Sequence, residues 1–154
     1  MIYKPLTTAP ISGGRVLYTT PITDDNLDPS VAYTAHLFQS KIEKEYEVRV
    51  TVVDSTVLAA RIDAITPAAK VDWRSDPDGV RYSSITLPDD VADKLRRLVA
   101  KLRLRFAAID LVVDTCGQVW FLEANPNGQW AWIEDATGLP ITAAIADALL
   151  RDPE

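Results

Sequence analysis

The stretch FLEANPNGQW, residues 121–130, closes a run of strand-forming residues with a polar turn. Glu123 and Asn125 lie two positions apart at the end of this predicted strand, so their side chains point to the same face. A carboxylate and an amide are poor core residues unless a partner satisfies them. The stretch therefore predicts a site that uses both side-chain oxygens.

A second run of strand residues, FAAIDLVVD, precedes this one in the chain. If residues 116–117 form a two-residue turn, Asp110 lies directly opposite Glu123. Phe121 and Asn125 would then share the face of these two carboxylates. The other face is apolar and is expected to pack on helices; it would hold Ala107, Ile109, Leu111, Val113, Trp120, Leu122 and Ala124.

The pairing of Asp110 with Glu123 is unfavourable without a cation. Two like charges ~5 Å apart repel by about 3 kcal/mol at an effective dielectric constant of ~20. A hard divalent cation reverses this repulsion, and Mg²⁺ accepts carboxylate and amide oxygens together with water and phosphate oxygens. The hairpin thus predicts half of a magnesium site, with Asp110, Glu123 and Asn125 as ligands. The alternative is a solvated sheet face that carries two acids and a turn-forming Asn-Pro.

Composition excludes other chemistry. The 154 residues are 47% hydrophobic and 25% charged, with a net charge of −6, which favours a single globular domain and argues against binding to nucleic acid or to an anionic membrane. With one histidine, His36, and one cysteine, Cys116, the chain lacks the ligands of a Cys/His zinc site, and a triad hydrolase would have to rest on His36 alone. A single cysteine cannot form an internal disulfide, which favours the cytoplasm. No apolar run reaches the ~20 residues of a membrane span.

The remaining pattern predicts an α+β fold, in which an antiparallel sheet carries helices packed on one face. A helix is expected over residues 87–104, because apolar residues recur at helical spacing after Pro88 and two acids. Strands are expected at residues 1–6, at 16–22, and in a hairpin within 36–64 that turns at Asp54 and Ser55; a last helix is expected over 140–150.

Taken together, these residues resemble the ATP-grasp ligases, which end on an Asp in one strand and a Glu-x-Asn in the next. The sequence is more similar to the ATP-grasp maturases of ribosomal peptides, the microviridin or graspetide type. The similarity covers nearly the whole chain and is carried by IYKPL, LFQSKIEKEYEVRVTVV, VDWR, FAAIDLVV and FLEANPNGQWAWIEDATGLPI.

The resemblance implies a set of site residues with defined roles. They are Lys4 for the ATP phosphates; Gln39, Ser40, Lys41 and Ile42 for the adenine; Glu47 for the ribose; Arg74 as the catalytic arginine facing the phosphate or acyl-phosphate oxygens; and Asp110, Glu123 and Asn125 for the metal, with two Mg²⁺ ions expected.

Several of these charged residues, and two nearby arginines, also have a simpler interpretation. Lys4 could be a solvated strand-end lysine, and Glu47 an edge-strand charge. Arg49 and Arg61 could be surface cations, and Arg74 could pair with an aspartate over an indole ring.

The resemblance also implies a reaction and a partner. An Asp or Glu carboxylate of a precursor peptide would be activated by ATP as an acyl phosphate, and a Ser/Thr hydroxyl or Lys amine would capture it to give an ester or amide macrocycle. One alternative is a glutamate-type ligase that adds an amino acid to a protein or small-molecule carboxylate. Another is a non-catalytic protein that binds a nucleotide or peptide.

Ligases of this family carry an N-terminal region that has no counterpart here, so we expect the C-terminal portion of the ATP-grasp region. Residues 1–38 would be part of the small nucleotide-covering subdomain, and residues 39–154 the C-terminal subdomain with the metal site. We expect weak nucleotide binding and no ligation by residues 1–154 alone. An unpaired edge at residues 1–5 and 15–22 is expected to promote a homodimer through strand pairing.

Overall fold

The structure, a computed structural model, describes residues 1–6, 18–23, 25 and 27–151. Among these residues no helix has the length and apolar character needed to cross a membrane. The strands are β1 (Ile2–Lys4), β2 (Thr20–Pro21), β3 (Leu37–Gln39), β4 (Lys44–Val53), β5 (Thr56–Ala64), β6 (Val80–Ile85), β7 (Phe106–Asp114) and β8 (Val119–Asn125). The helices are α1 (Pro67–Val71), α2 (Asp89–Lys101), α3 (Ala131–Thr137) and α4 (Ile141–Leu150), with 3-10 turns at Pro29–Tyr33, Trp73–Ser75 and Pro77–Gly79.

The chain divides into two compact units. Unit 1 comprises Met1–Glu43 and Ala64–Val80, and unit 2 comprises Lys44–Asp63 and Arg81–Glu154. The subdomains expected from the sequence, 1–38 and 39–154, are a division by role in nucleotide binding, and that division stays a prediction.

Unit 1 contains a small antiparallel sheet in the order β2-β1-β3. Tyr3 of β1 pairs with Thr20 on one side and with Phe38 on the other. The rings of Tyr3, His36 and Phe38 have centroids 5.7 to 6.0 Å apart, so His36 lies in an aromatic cluster. Of the strand predicted over residues 16–22, the structure shows β2, while residues 16 and 17 lie outside the described part.

Unit 2 is built on a five-stranded sheet in the order β6-β5-β4-β7-β8, which confirms the predicted α+β class. The turn predicted at Asp54 and Ser55 is also confirmed, since Val53 pairs with Thr56 and Asp54 takes the left-handed conformation with φ 49°. The helix predicted after Pro88 is present as α2, with acidic residues in its first turn. These elements follow the apolar alternation and capping signals of the sequence.

Helices cover both faces of this sheet, whereas the sequence pattern predicted them on one face only. Neighbouring residues of β5 show the division, because their side chains point to opposite faces. Ala59 packs with Leu95 and Val99 of α2, while Ala60 packs with Ile133 of α3 and Ile141 of α4. The short α3 was not predicted from the sequence, and it lies with α4 on the face opposite to α2.

The turn between β7 and β8 is longer than predicted. The N–H of Asp114 donates to the carbonyl of Gln118 at 3.0 Å, which leaves residues 115–117 as a three-residue loop. Gly117 takes the left-handed conformation with φ 80°, as is usual in such loops. The Asp114 carboxylate accepts hydrogen bonds from the backbone N–H groups of Cys116 and Gln118, both at 2.9 Å. The two-residue turn is therefore wrong.

The longer turn changes the faces of two aromatic residues. The register is offset near the turn, so Phe121 pairs with Leu111 and Trp120 pairs with Val112. Phe121 therefore lies away from the carboxylate face on which it was expected, and Trp120 lies on it. A bulge at Leu122 then restores the expected register for the rest of the hairpin.

Candidate functional site

The carboxylate pairing predicted from the sequence is present in unit 2. Asp110 of β7 lies directly opposite Glu123 of β8, and Ala108 lies opposite Asn125. Since side chains alternate along a strand, Asp110, Glu123 and Asn125 point to one face of the sheet. Asp110 is half-buried, while Glu123 and Asn125 are exposed. The three predicted metal ligands are thus brought together at the edge of the sheet.

Asp110 has a second neighbour in register that the sequence analysis missed. Arg49 of β4 pairs with Asp110 across the other side of β7. Its Nη1 donates to Asp110 Oδ1 at 2.6 Å. Arg49, Asp110 and Glu123 therefore form a cross-strand row of one cation and two anions, which we call the charged row.

Arg49 is buried rather than a surface cation, with 8% of its area exposed. Its Nη2 donates to the carbonyl of Gln129 at 3.1 Å, so the guanidinium joins β7 to the loop that follows Asn125. Within the described residues its buried Nε has no hydrogen-bond partner. A cation between the buried valines Val48 and Val50 was a signal in the sequence, because such a charge requires a buried partner.

The loop after Asn125 lies tightly against this row. A Cβ atom added at Gly128 would lie 2.4 Å from Ala108 Cβ and 3.2 Å from Arg49 Nη2. Asn125 Oδ1 accepts the N–H of Asn127 at 2.9 Å, which turns the chain. Glycine at position 128 therefore permits the close approach that lets Arg49 reach the loop.

The donor set fits Mg²⁺, provided that other oxygens complete the coordination. Two carboxylates and one amide oxygen share a face, and Mg²⁺ commonly takes one or two carboxylates together with water and phosphate. Arg49 uses Oδ1 of Asp110, and the carboxylate has a second oxygen; likewise, an amide oxygen that accepts one hydrogen bond retains a lone pair. In the part of the chain that the structure describes, no cluster of three or more His, Cys, Asp or Glu side chains could hold a metal alone.

Glu47 lies on the same face as Arg49, two positions earlier on β4. It pairs with Ile62 on β5 and with Val112 on β7, so it lies in the interior of the sheet rather than at an edge. Its carboxylate forms an ion pair with Lys44. Its predicted role near a ribose stays a prediction.

The other predicted nucleotide-binding residues lie in unit 1. Lys4, half-buried at the end of β1, pairs with Leu37 of β3. Gln39 ends the same β3 strand and pairs with Ile2. Ser40, Lys41 and Ile42 follow β3, and the Lys41 ammonium contacts Glu43 at 2.7 Å. Lys4 and the predicted adenine segment therefore lie on neighbouring strands.

Arg74 also lies in unit 1, on the 3-10 turn Trp73–Ser75. Its Nε and Nη2 donate to Asp72 Oδ1 at 2.9 Å and Oδ2 at 3.2 Å. Burial raises the pKa of Asp72, but the hydrogen bond and charge of Arg74, with a backbone hydrogen bond from Thr19, outweigh this and hold the pKa below its usual value. The sequence alternative of an Asp–Arg pair is thus present, and it orients the predicted catalytic arginine.

No protein-family model and no curated protein matches the sequence. Among solved structures, the chain is similar to an ATP-grasp ligase of Chryseobacterium gregarium that is associated with a ribosomally synthesised, post-translationally modified peptide. That structure is a complex with ADP and a leader and core peptide. The TM-score is 0.87 and the identity 32%, over 96% of this chain and 47% of that chain.

A second similar structure is the macrocyclase MdnC of Microcystis aeruginosa, bound with the precursor peptide MdnA. The TM-score is 0.83 and the identity 30%, over 98% of this chain and 48% of that chain. The ATP-grasp ligase PsnB, in complex with a precursor variant, Mg and ADP, matches at 23% identity with a TM-score of 0.71, over 96% of this chain and 46% of that chain; this likeness concerns the fold alone.

These matches confirm the expected resemblance to ATP-grasp peptide ligases. The chain spans about half the length of the ligases it matches, at 47% and 48% of the first two.

Proposed function

We propose that this chain, which shares the ATP-grasp fold of ribosomal-peptide ligases over about half their length, forms the metal-binding and phosphate-facing part of a carboxylate ligase. The charged row carries this proposal. Asp110 and Glu123 face each other on adjacent strands with Asn125 beside them, and a bound divalent cation would turn the repulsion of the two carboxylates into attraction.

The cofactors we propose are ATP and Mg²⁺, two ions per site. Asp110, Glu123 and Asn125 would hold the metal, which when bound supplies positive charge to the β- and γ-phosphate oxygens. Arg49 fixes the position of the Asp110 carboxylate through the 2.6 Å contact. The ADP in the complex of the similar Chryseobacterium ligase supports this choice of nucleotide.

In unit 1, we assign two cations to the phosphates and one segment to the adenine. Lys4 and Arg74 would stabilise negative charge on the transferred phosphoryl group. Residues 39–42 would contact adenine through backbone groups, and Glu47 of unit 2 would contact the ribose. Lys4 of β1 pairs with Leu37 of β3, the strand that ends at Gln39. This pairing supports a common nucleotide-binding role for Lys4 and residues 39–42.

The proposed substrate is a ribosomal precursor peptide. The complexes of the Chryseobacterium ligase and MdnC with their peptides support this class. An Asp or Glu side chain of the peptide would take the γ-phosphoryl group of ATP, and a hydroxyl or amine of the same peptide would displace phosphate to close an ester or amide ring. The ligase needs no nucleophile of its own, which suits a chain with one histidine and one cysteine. The proposed location is the cytoplasm, which supplies ATP and in which a single cysteine such as Cys116 stays reduced.

The test is to replace Glu123 by Gln in the chromosomal gene and to compare peptide extracts by mass spectrometry. The unaltered strain should contain a peptide lighter than its encoded sequence by one water per ring, and the Glu123→Gln strain should contain only the unmodified peptide. Glu45→Gln, an exposed acid on β4 outside the charged row, is the matched control and should leave the rings intact. Rings in the Glu123→Gln strain would overturn the proposal, and a product heavier by one amino acid would identify an amino-acid ligase instead.

A further inference from the structure

We propose that Asp72 is a positioning residue that holds Arg74 in a fixed relation to the strand pair carrying Lys4. Its consequence for catalysis rests on the proposed function, whereas the positioning itself is a property of unit 1. Asp72 would not touch the substrate; it would act through Arg74.

Asp72 is the fixed partner of the pair. The carboxylate side chain is 3% exposed, while that of Arg74 is 47% exposed. Both carboxylate oxygens are used: Oδ1 accepts the backbone N–H and the Nε of Arg74, at 3.2 and 2.9 Å, and Oδ2 accepts Arg74 Nη2 and the Thr19 N–H, each at 3.2 Å. A buried carboxylate is tolerated when it is paired and fully hydrogen-bonded, and a forked contact fixes the plane of the guanidinium.

The turn around Arg74 is also closed by Asp72. Asp72 is the N-cap of the 3-10 turn Trp73–Ser75. Its carbonyl accepts the Ser75 N–H at 3.0 Å and the Ser75 hydroxyl at 2.7 Å. The backbone and the side chain of Asp72 therefore leave the Arg74 side chain few alternative orientations, although about half of it is exposed to solvent.

Thr19 extends the effect of Asp72 to a second element of unit 1. Thr19 precedes β2, whose Thr20 pairs with Tyr3 of β1. Lys4 is the next residue along β1. One buried carboxylate thus connects the turn that carries Arg74 to the strands that carry Lys4. The two cations proposed to face the phosphates are tied together before any ligand binds, as preorganised electrostatic stabilisation requires.

The first arm of the test is the ¹H–¹⁵N spectrum of the arginine Nε–H groups in the 154-residue chain. The Arg74 Nε–H should exchange with water about ten-fold more slowly than that of the exposed Arg81. Asp72→Asn should abolish this difference, while Asp78→Asn, which changes an exposed acid of the same unit, should preserve it. If Asp72→Asn does not fold, the wild-type spectrum decides: an Arg74 Nε–H that exchanges as fast as that of Arg81 overturns the proposal.

The second arm is a double-mutant cycle on ADP binding in the presence of Mg²⁺. Asp72→Asn and Arg74→Gln should each weaken binding by about ten-fold, and the double variant should be no weaker than Arg74→Gln alone. Additive losses of about a hundred-fold would show that Asp72 acts independently of Arg74 and would overturn the proposal. If the wild-type chain binds no ADP, the proposed function fails, and the exchange measurement still decides the positioning role.

Discussion

Arg49 of β4 and Asp110 of β7 face each other across neighbouring strands of the unit 2 sheet, with Arg49 Nη1 2.6 Å from Asp110 Oδ1. Their side chains are 10% and 15% exposed, so the pair is largely shielded from water. Glu123 is the next residue in the same row. The buried cation therefore pairs with one of two adjacent carboxylates, and the row keeps a net charge of −1 for a metal to neutralise.

Removing the buried cation should be costly. Arg49→Met is expected to lower the free energy of unfolding by about 3 kcal/mol, because it removes the partner of the partly buried Asp110 carboxylate. Arg61→Met is the matched control: Arg61 pairs with Asp63, but these side chains are 32% and 36% exposed, so a loss of about 1 kcal/mol is expected. Urea denaturation of the metal-free proteins measures both. Equal losses of unfolding free energy in the two variants would show that the buried Arg49–Asp110 pair stabilises the fold no more than the more exposed Arg61–Asp63 pair does.

The two carboxylates of the charged row should respond differently to neutralisation. Without Mg²⁺, Glu123→Gln should leave stability unchanged or slightly raised, because it removes repulsion from Asp110 at an exposed position. Asp110→Asn should destabilise the protein by about 2 kcal/mol, since Arg49 loses its anionic partner. Chemical denaturation in EDTA separates the two variants. A large loss of stability for Glu123→Gln would contradict the account.

The close approach at Gly128 gives a third test. Gly128→Ala should lower stability by about 2 kcal/mol, because its Cβ would lie 2.4 Å from Ala108 Cβ. It should also weaken Mg²⁺ binding, since the displaced loop follows directly on Asn125 at the end of β8. At Gly117 an added Cβ meets nothing within 4 Å, but φ is +80°, so Gly117→Ala should cost about 1 kcal/mol. In a calorimetric titration, Gly117→Ala should bind Mg²⁺ as tightly as the wild type. If both variants lose Mg²⁺ affinity equally, the loss does not come from the contact between Gly128 and Ala108.

Acid should destabilise the chain partly through Asp72. The pKa of Asp72 is lowered in the folded protein from its ordinary value of 3.8, so its contribution to stability is complete above that value and is lost as the pH falls through the folded pKa. The free energy of unfolding of the wild type should therefore decrease more than that of Asp72→Asn as the pH is lowered through this window. Urea denaturation at a series of acidic pH values compares the two slopes. Parallel curves would contradict the assigned pKa shift.

The sequence predicted strands β4, β5, β7 and β8 of unit 2 and helices α2 and α4, because their apolar periodicity agrees with the final fold, whereas β6 was not predicted. The pairing of Asp110 with Glu123 is correct although the turn is not: the three-residue loop shifts the register, and the bulge at Leu122 shifts it back. Neither feature has a reliable signal in a single sequence.

The position of Arg49 depends on the register of β4 against β7, which is set by contacts far apart in the chain. Its role as partner of Asp110 could therefore not be derived from the local pattern Glu-Val-Arg-Val. In contrast, the link between Asp72 and Arg74 is local, and the sequence already suggested that pair.

Asp110, Glu123 and Asn125 are proposed to hold the metal through which a nucleotide binds. Titration calorimetry of ADP into the 154-residue chain, with Mg²⁺ and with EDTA, tests this proposal most directly in wild type, Glu123→Gln and the control Glu45→Gln. We predict weak, Mg²⁺-dependent binding by the wild type and by Glu45→Gln, and binding weakened by about ten-fold or more in Glu123→Gln. Equal Mg²⁺-dependent affinity in Glu123→Gln and the wild type would contradict the account.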